Sequence, residues 1–378
     1  MPFAGVSSDS APRHSGNTMS GNVRRTRRKS NVVTLADIAA HAGVSTASVS
    51  RAMNSPDKVS DATRARVLKT VAKLNWVPSG AAKALATRQT RTIGAITATL
   101  GHANVATELE SLQRRLMDAG YVLLLACSGL DEANEIEQAK RLLERGVDAL
   151  VLHHSSAHGR EIWNLVETLK VPTIVTRAAE PIEGYTTIGY DGYAAFRRLT
   201  RHLIDLGHRR FGLMMIASPQ IERRHTLEPD ARVRKAHAGV VQTLDEAGVA
   251  ISPDHITNTY FSIGKGRACF RKIMSAPERP TALVCMNDEL AIGAMFEAAS
   301  MGIEVPRDVS IVGFDDIELS ALMNPPLTTM RTPDWEMGEV TAECVVDILQ
   351  SRGPPVYRRE VEPELVLRRS TGPPSPLP

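Results

Sequence analysis

The sequence predicts a small all-α N-terminal unit followed by an α/β core of two doubly wound parallel-sheet lobes. Three observations predict it. Residues 34–76 hold three short capped stretches with apolar residues at helical spacing. From Arg91 onward, apolar runs of strand length alternate with amphipathic helical patterns, the mark of parallel sheets covered by helices. Nearly 280 residues of that pattern are too many for one sheet and its core.

In the first unit, Thr34 can cap a helix, with Asp37 three residues on as in a capping box. Leu35, Ile38, Ala39 and Ala42 mark its buried face, and Gly43 permits the turn. Ser45 caps a second helix with Val49 and Met53 inward. Ser60 caps a third, with Val67, Val71 and Leu74 on one face. Pro78 breaks the chain, and Gly80 to Ala86 make barely two turns, a helix marginal alone in water. Strands are expected at TIGAIT, YVLLLAC, ALVLHH, PTIVT, FGLMMI, ALVCM and VSIVGF. The expected boundaries are a disordered basic tail (1–31), the helical unit (32–76), a hinge helix and linker (77–91), the core (92–370) and a disordered tail (371–378). Within the core, lobe 1 takes about 92–189 and 331–352, and lobe 2 about 190–330 and 353–370.

Composition narrows the function classes. The chain has 378 residues, 43% hydrophobic and 23% charged, which are globular values. No apolar run reaches membrane-spanning length, and the first thirty residues lack the apolar segment of a secretory signal. Cys127, Cys269, Cys285 and Cys344 are scattered without a C-x-x-C, as in a cytoplasmic protein with reduced thiols. Net charge is +3, unevenly placed. Residues 1–91 carry 15 Lys and Arg against 4 Asp and Glu, while the remainder carries 30 against 38. A basic head on an acidic body suits a polyanion partner for the head. The run Arg24, Arg25, Arg27, Arg28, Lys29 can add phosphate contacts or merely solubilise a tail.

On the second helix Thr46, Ala47, Ser50 and Arg51 share the side opposite Val49 and Met53. Such a surface fits the DNA major groove. Short side chains allow close approach, and Arg can donate twice to guanine. Hydroxyls and backbone N–H groups at the helix start can hold phosphate. The bland alternative is a helical hairpin with a solvated face.

The stretches TLADIAAHAGVSTASVSRAMN and VSDATRARVLKTVAKLNWVPSGAAKALAT resemble the headpiece of the LacI/GalR family of bacterial transcription regulators. The similarity continues through RLLERGVDALVL, HLIDLGHRR, NDELAIGA and VPRDVSIVGFDDIELSALMNPPLTTMR, over about residues 33–370. The resemblance implies a helix-turn-helix headpiece, a hinge helix and an effector core like periplasmic sugar-binding proteins. It also implies a homodimer on a pseudo-palindromic operator in double-stranded DNA. Carried over, Thr46, Ala47 and Arg51 read bases. Thr34, Ser45, Ser48, Ser50, Asn54 and Ser60 lie at or near phosphates. Lys83 reaches the minor groove or its phosphates, and Leu85 is the wedge that kinks the duplex there. Simple helix packing is the alternative for Leu85.

For the effector, the resemblance points to Asp315, Asn287 and Tyr190. Asp315 and Asn287 could instead cap helices, and Tyr190 could be core. The family's first ligand loop is here GHANV, with His102 and Asn104 in place of aromatics. The family's R-x-x-G arginine is replaced by Ala236. Arg223, Arg224, His225, Arg232, Arg234 and Lys235 around a basic insertion are candidate substitutes. The expected effector is a sugar or sugar acid, with a slight lean to the acid from that insertion. No cofactor, metal or membrane partner is expected. His153, His154 and His158 lack Cys or carboxylate partners at ligand spacing. A sugar-binding protein or sugar-processing enzyme is the rival. The absent signal segment and the headpiece oppose the first. The absence of G-x-S-x-G and phosphate-loop motifs opposes the second, since SIGKGRA offers a lone G-x-G.

Overall fold

The structure is a computed structural model that describes residues 33–78, 80, 84, 87, 89–129, 131–153, 160–216, 231–260, 262–350 and 358–375. The chain divides into two compact units, Met1–Ser79 and Gly80–Pro378.

The first unit is built from α1 (Leu35–Ala42), α2 (Thr46–Asn54) and α3 (Asp61–Lys73). Each start is capped as its sequence predicts. Asp37 N–H donates to Thr34 Oγ1 while Thr34 N–H donates to the Asp37 carboxylate, closing the capping box. Ser45 accepts from Ser48 N–H, and Ser60 from Thr63 N–H. Gly43 ends α1 at φ 65, the left-handed conformation that needs no Cβ. The core is Ile38, Ala39, Ala42, Val49, Ala52 and Val67, with Met53, Val71, Leu74 and Trp76 packed against it. So small a core has little reserve, so caps worth about 1 kcal/mol each matter to it.

The second unit holds two six-stranded sheets. Lobe 1 is ordered β11-β5-β4-β3-β1-β2, from β1 (Thr92–Thr97), β2 (Val122–Cys127), β3 (Ala149–His153), β4 (Thr173–Thr176), β5 (Thr186–Gly189) and β11 (Arg358–Glu360). Lobe 2 is ordered β12-β10-β9-β8-β6-β7, from β6 (Phe211–Ile216), β7 (Ile256–Thr259), β8 (Ala282–Cys285), β9 (Ser310–Asp315), β10 (Thr328–Arg331) and β12 (Glu364–Val366). All pairings are parallel except β10 with β12. This is the doubly wound α/β class that the alternating pattern predicts.

Each sheet has a core on both faces. Lobe 1 is covered by α4 (Ala103–Asp118), α5 (Glu132–Glu144), α6 (Arg160–Leu169) and α12 (Asp334–Leu349). Lobe 2 is covered by α7 (Gly192–Asp205), α8 (Ala231–Glu246), α9 (Ile263–Met274) and α10 (Asp288–Ser300), with the short α11 (Glu318–Leu322). In α9, Gly266 lies against the Leu290 carbonyl, and in α10 Gly293 lies against the Ile263 carbonyl. That close crossing accounts for the second glycine of the G-x-G in SIGKGRA.

Two boundary expectations need correction. Residues 353–370 do not all belong to lobe 2, because β11 pairs with β5 in lobe 1 before β12 rejoins lobe 2. Residues 371–375 are not a loose tail. The Gly372 carbonyl lies 2.9 Å from His208 Nε2, Gly372 N–H donates to Ser310 Oγ, and Ser375 Oγ donates to the Arg307 carbonyl. The lobes are therefore joined three times, at 189–192, 331–334 and 360–364.

Candidate functional site

On α2, Thr46, Ala47, Ser50, Arg51 and Asn54 are all exposed, while Val49 and Ala52 are buried. The sequence therefore folds with the anticipated polar side outward. Ser45 Oγ and Ser48 Oγ lie 2.9 Å apart at the helix start, where the backbone N–H groups favour an anion. Arg51 Nε donates to the Ala47 carbonyl, and Asn54 Nδ2 to the Ser50 carbonyl. The terminal guanidinium nitrogens of Arg51 have no hydrogen-bond partner among the described residues. Thr34 and Ser60 sit exposed at the starts of α1 and α3, each engaged in its cap. Lys83 and Leu85 lie outside the described residues.

The second candidate site lies between the lobes, at the carboxyl ends of β3, β4, β5 and β9, where open parallel sheets bind ligands. His102, just before α4 of lobe 1, has Nδ1 3.3 Å from Glu289 Oε1 on α10 of lobe 2. Asn104 Nδ2 donates to Asp315 Oδ1 at 3.1 Å, again across the lobes. Tyr190 follows β5 and tilts against Phe314, ring centroids 5.9 Å apart. Burial pushes its hydroxyl up to about 12, so it stays a protonated donor. Asn287 caps α10, its oxygen accepting from Leu290 N–H at 3.0 Å. That leaves its amide nitrogen to reach a ligand.

Asp315 ends β9 at φ 115, followed by Asp316 at φ 57. Such backbone costs about 1–3 kcal/mol per residue and persists where surroundings hold it. The Asp315 carboxyl is pushed well up by desolvation, then by Asp288 and Asp334. Asp288 is fully buried behind the cleft. Its carboxylate accepts from Ile317 N–H, Ser320 Oγ and Thr329 Oγ1, tying α10 to β10.

A cluster that the sequence reasoning missed forms the floor in lobe 1. Arg177 follows β4 at φ 55 and is 4% exposed. Its Nε donates to Glu108 Oε2 at 2.6 Å, and its Nη2 to the Asp334 carboxylate and the Asn104 carbonyl. Glu108, 1% exposed on α4, also accepts from Thr176 Oγ1, and His153 Nε2 lies 3.4 Å from it. Desolvation alone would raise the Glu108 carboxyl, but Arg177, His153 and Thr176 outweigh it and hold it down to about 2. Burial holds His153 below its ordinary value, hence neutral, against the pull of Glu108. Burial raises Asp334 to about 6, Arg177 opposing. Thr332 Oγ1 donates to the Asp334 carboxylate, so the cluster grips the 331–334 crossing between the lobes. The missed signal was a Glu on the apolar side of α4, between Val105 and Leu109, and an Arg directly after a buried strand.

Of the substitutes considered for a cation at Ala236, Arg223, Arg224 and His225 lie outside the described residues. Ala236 itself packs into the lobe 2 core with Ala195, Phe196 and Leu199. Lys235 donates to the Ala179 carbonyl of lobe 1 at 3.0 Å, and Arg232 acts electrostatically on His153 and Tyr190.

Residues 34–79 match the model of the bacterial regulatory proteins of the lacI family, and residues 200–371 match a periplasmic binding protein-like domain. The chain belongs to the LacI family. The ribose operon repressor of Haemophilus influenzae is 29% identical to this LacI-family chain over 345 residues, covering 90% of it and 98% of the relative. The repressor CytR of Escherichia coli K12 is 29% identical over 355 residues, covering 92% and 98%. Among solved structures, the Lac repressor dimer bound to operator and the anti-inducer ONPF superposes with TM-score 0.77 at 26% identity. It covers 90% of this LacI-family chain and 99% of that one. The transcriptional regulator CelR in complex with cellobiose superposes with TM-score 0.65 at 26% identity, covering 89% and 99%. These repressors span headpiece and core together, as this LacI-family chain does.

Proposed function

We propose that this LacI-family chain is a sequence-specific transcriptional repressor. It acts as a homodimer on a pseudo-palindromic operator and is controlled by a small polar effector, a sugar or sugar acid, held between its core lobes. The observation that carries this reading is α2. Its exposed side is Thr46, Ala47, Ser50 and Arg51, at the anion-favouring start of a helix in a basic unit. The cleft supplies the second half, because polar contacts such as Asn104 to Asp315 span lobes that three short crossings allow to rotate. An effector that binds one lobe arrangement more tightly biases that arrangement, and the headpiece reads the result. Repression requires no catalytic step, which agrees with relatives that are named repressors.

The test is operator selection from random duplexes, followed by titration of wild-type protein and Arg51→Ala. The substitution costs about 1–3 kcal/mol on the selected operator and much less on random DNA. An equal loss on both would make Arg51 a phosphate contact and remove its role in reading bases.

A second measurement addresses the hinge. Leu85→Ala weakens operator binding by roughly tenfold or more, because the wedge that offsets unstacking is gone, and leaves effector affinity unchanged within about twofold. Loss of effector affinity in parallel would assign Leu85 to core packing.

A further inference from the structure

Arg177 is the most thoroughly buried guanidinium among the described residues of the cleft, and its hydrogen bonds are unevenly distributed. One side is consumed by Glu108, Asp334 and the Asn104 carbonyl. Nη1 has no hydrogen-bond partner among the described residues. After those two carboxylates, the groups that act on the Arg177 charge are Tyr190 and Asp315. Both were singled out for the effector independently of Arg177. Asp315 has one oxygen engaged by Asn104 and is itself partly exposed. Arg177 and Asp315 terminate strands of opposite lobes, and both hold left-handed backbone that only a constrained site maintains.

The charge balance of the cleft decides what such a donor can hold. Among the described residues, Glu108, Asp288, Glu289, Asp315 and Asp334 supply five carboxyl groups, against the guanidinium groups of Arg177 and Arg232 and the ammonium of Lys235; Asp315 is held toward its protonated form, and His153 is neutral. A guanidinium already shared by two carboxylates has little charge left for a third. An added anion would meet the Glu108 and Asp334 carboxylates that already share Arg177, in a poorly solvated space. A hydroxyl or carbonyl oxygen meets no such repulsion. It can accept from Nη1 while a neighbouring hydroxyl donates to Asp315.

Resting on the effector-cleft reading, we infer that Arg177 is the specificity-determining residue of the cleft. It presents Nη1 to an uncharged oxygen, so that the site takes neutral polyhydroxylated ligands and discriminates against their acid counterparts. This reverses the slight lean toward an acidic effector that the basic insertion gives. The same contact reaches the lobe crossing, because the guanidinium that would meet the ligand also grips Asp334. Glu108 and Thr176 are positioning residues: they orient the guanidinium and do not face the ligand's oxygens.

Full-length protein is titrated calorimetrically with matched probes: D-glucose against D-gluconate, D-galactose against D-galacturonate, and D-ribose against ribose 5-phosphate. Wild-type protein binds the neutral member of its preferred pair at least about tenfold more tightly. Arg177→Lys keeps the charge but loses the fork, and weakens the neutral probe by about tenfold. Asp334→Asn removes one competing carboxylate and narrows the neutral-to-acid ratio by about tenfold. A merely structural Arg177 would weaken the neutral and acid probes alike in Arg177→Lys, and the Asp334→Asn ratio tests the charge argument if that variant does not fold. Tighter binding of the acid member by wild-type protein overturns the inference and leaves the effector-cleft reading standing. So does an unchanged ratio in Asp334→Asn. Failure of every probe to bind overturns both.

Discussion

Glu108→Gln lowers the stability of the core by about 3 kcal/mol at pH 7, and the deficit closes as the pH falls toward 2. The size follows from the folded carboxyl lying near 2 against an ordinary 4.5, at about 1.4 kcal/mol per unit. The sign follows from the direction. A carboxylate held low in the folded state contributes stability that is fully present above its unfolded value of 4.5. That contribution is lost as the pH falls through about 2. The side chain is 1% exposed, so solvent screening takes little of it away. Gln keeps the shape and one acceptor for Thr176 but leaves Arg177 with Asp334 as its one carboxylate partner among the described residues, and breaking one side of a buried pair is expensive. Asp334 runs the opposite way. Its carboxyl is raised to about 6, so its contribution is present below 3.8 and is lost as the pH rises through 6. Denaturant midpoints of wild type and variant at pH 7 and pH 3 check the claim. An equal deficit at both would assign the loss to packing and not to charge.

Gly293→Ala costs about 3 kcal/mol, the upper end of the range for overpacking. A Cβ at 293 would stand 2.2 Å from the Ile263 carbonyl, 2.9 Å from Arg267 N and 2.9 Å from Gly266 Cα. All three are backbone atoms of α9, so no side chain can swing aside. Alanine gains about 1 kcal/mol of helix propensity over glycine, which the clash exceeds. Because α10 is capped by Asn287 and carries Asp288 and Glu289 in its first turn, separating α9 from α10 also shifts the lobe 2 wall of the cleft. Thermal melting with and without a bound ligand measures both effects. A variant as stable as wild type would mean that the two helices can part without loss.

The two units were legible in the sequence for different reasons. The headpiece declared itself through local chemistry. Thr34, Ser45 and Ser60 are caps whose partners lie three residues away, so no tertiary knowledge is needed to place them. Seven core strands were legible as apolar runs, β4 and β8 among them at only four residues. The five that escaped, β5, β7, β10, β11 and β12, are as short or shorter and carry polar residues in place of the run, such as TTIG, ITNT and RRE. They are strands because neighbours pair with them, which is a property of the sheet and not of the segment. The cleft divided in the same way. Asp315 and Asn104 stood in motifs that could be read along the chain. Glu108, Arg177 and Asp334 meet from positions 69 and 157 residues apart, and nothing local marks them as partners.

The three crossings between the lobes set an order for synthesis. By residue 76 the ribosome has delivered every segment of the headpiece core. Neither lobe is then close to complete. Lobe 1 begins at β1 but waits for α12 at 334–349 and β11 at 358–360. Lobe 2 begins at β6 and waits for β12 at 364–366 and the Ser370–Gly372 segment that laces it to β9 and His208. A nascent chain therefore carries a finished reading head long before it has the apparatus that governs it, with both sheets exposing unpaired edges. The two lobes must close almost together, in the last few dozen residues translated, and a chain stopped at residue 330 would leave both of them open.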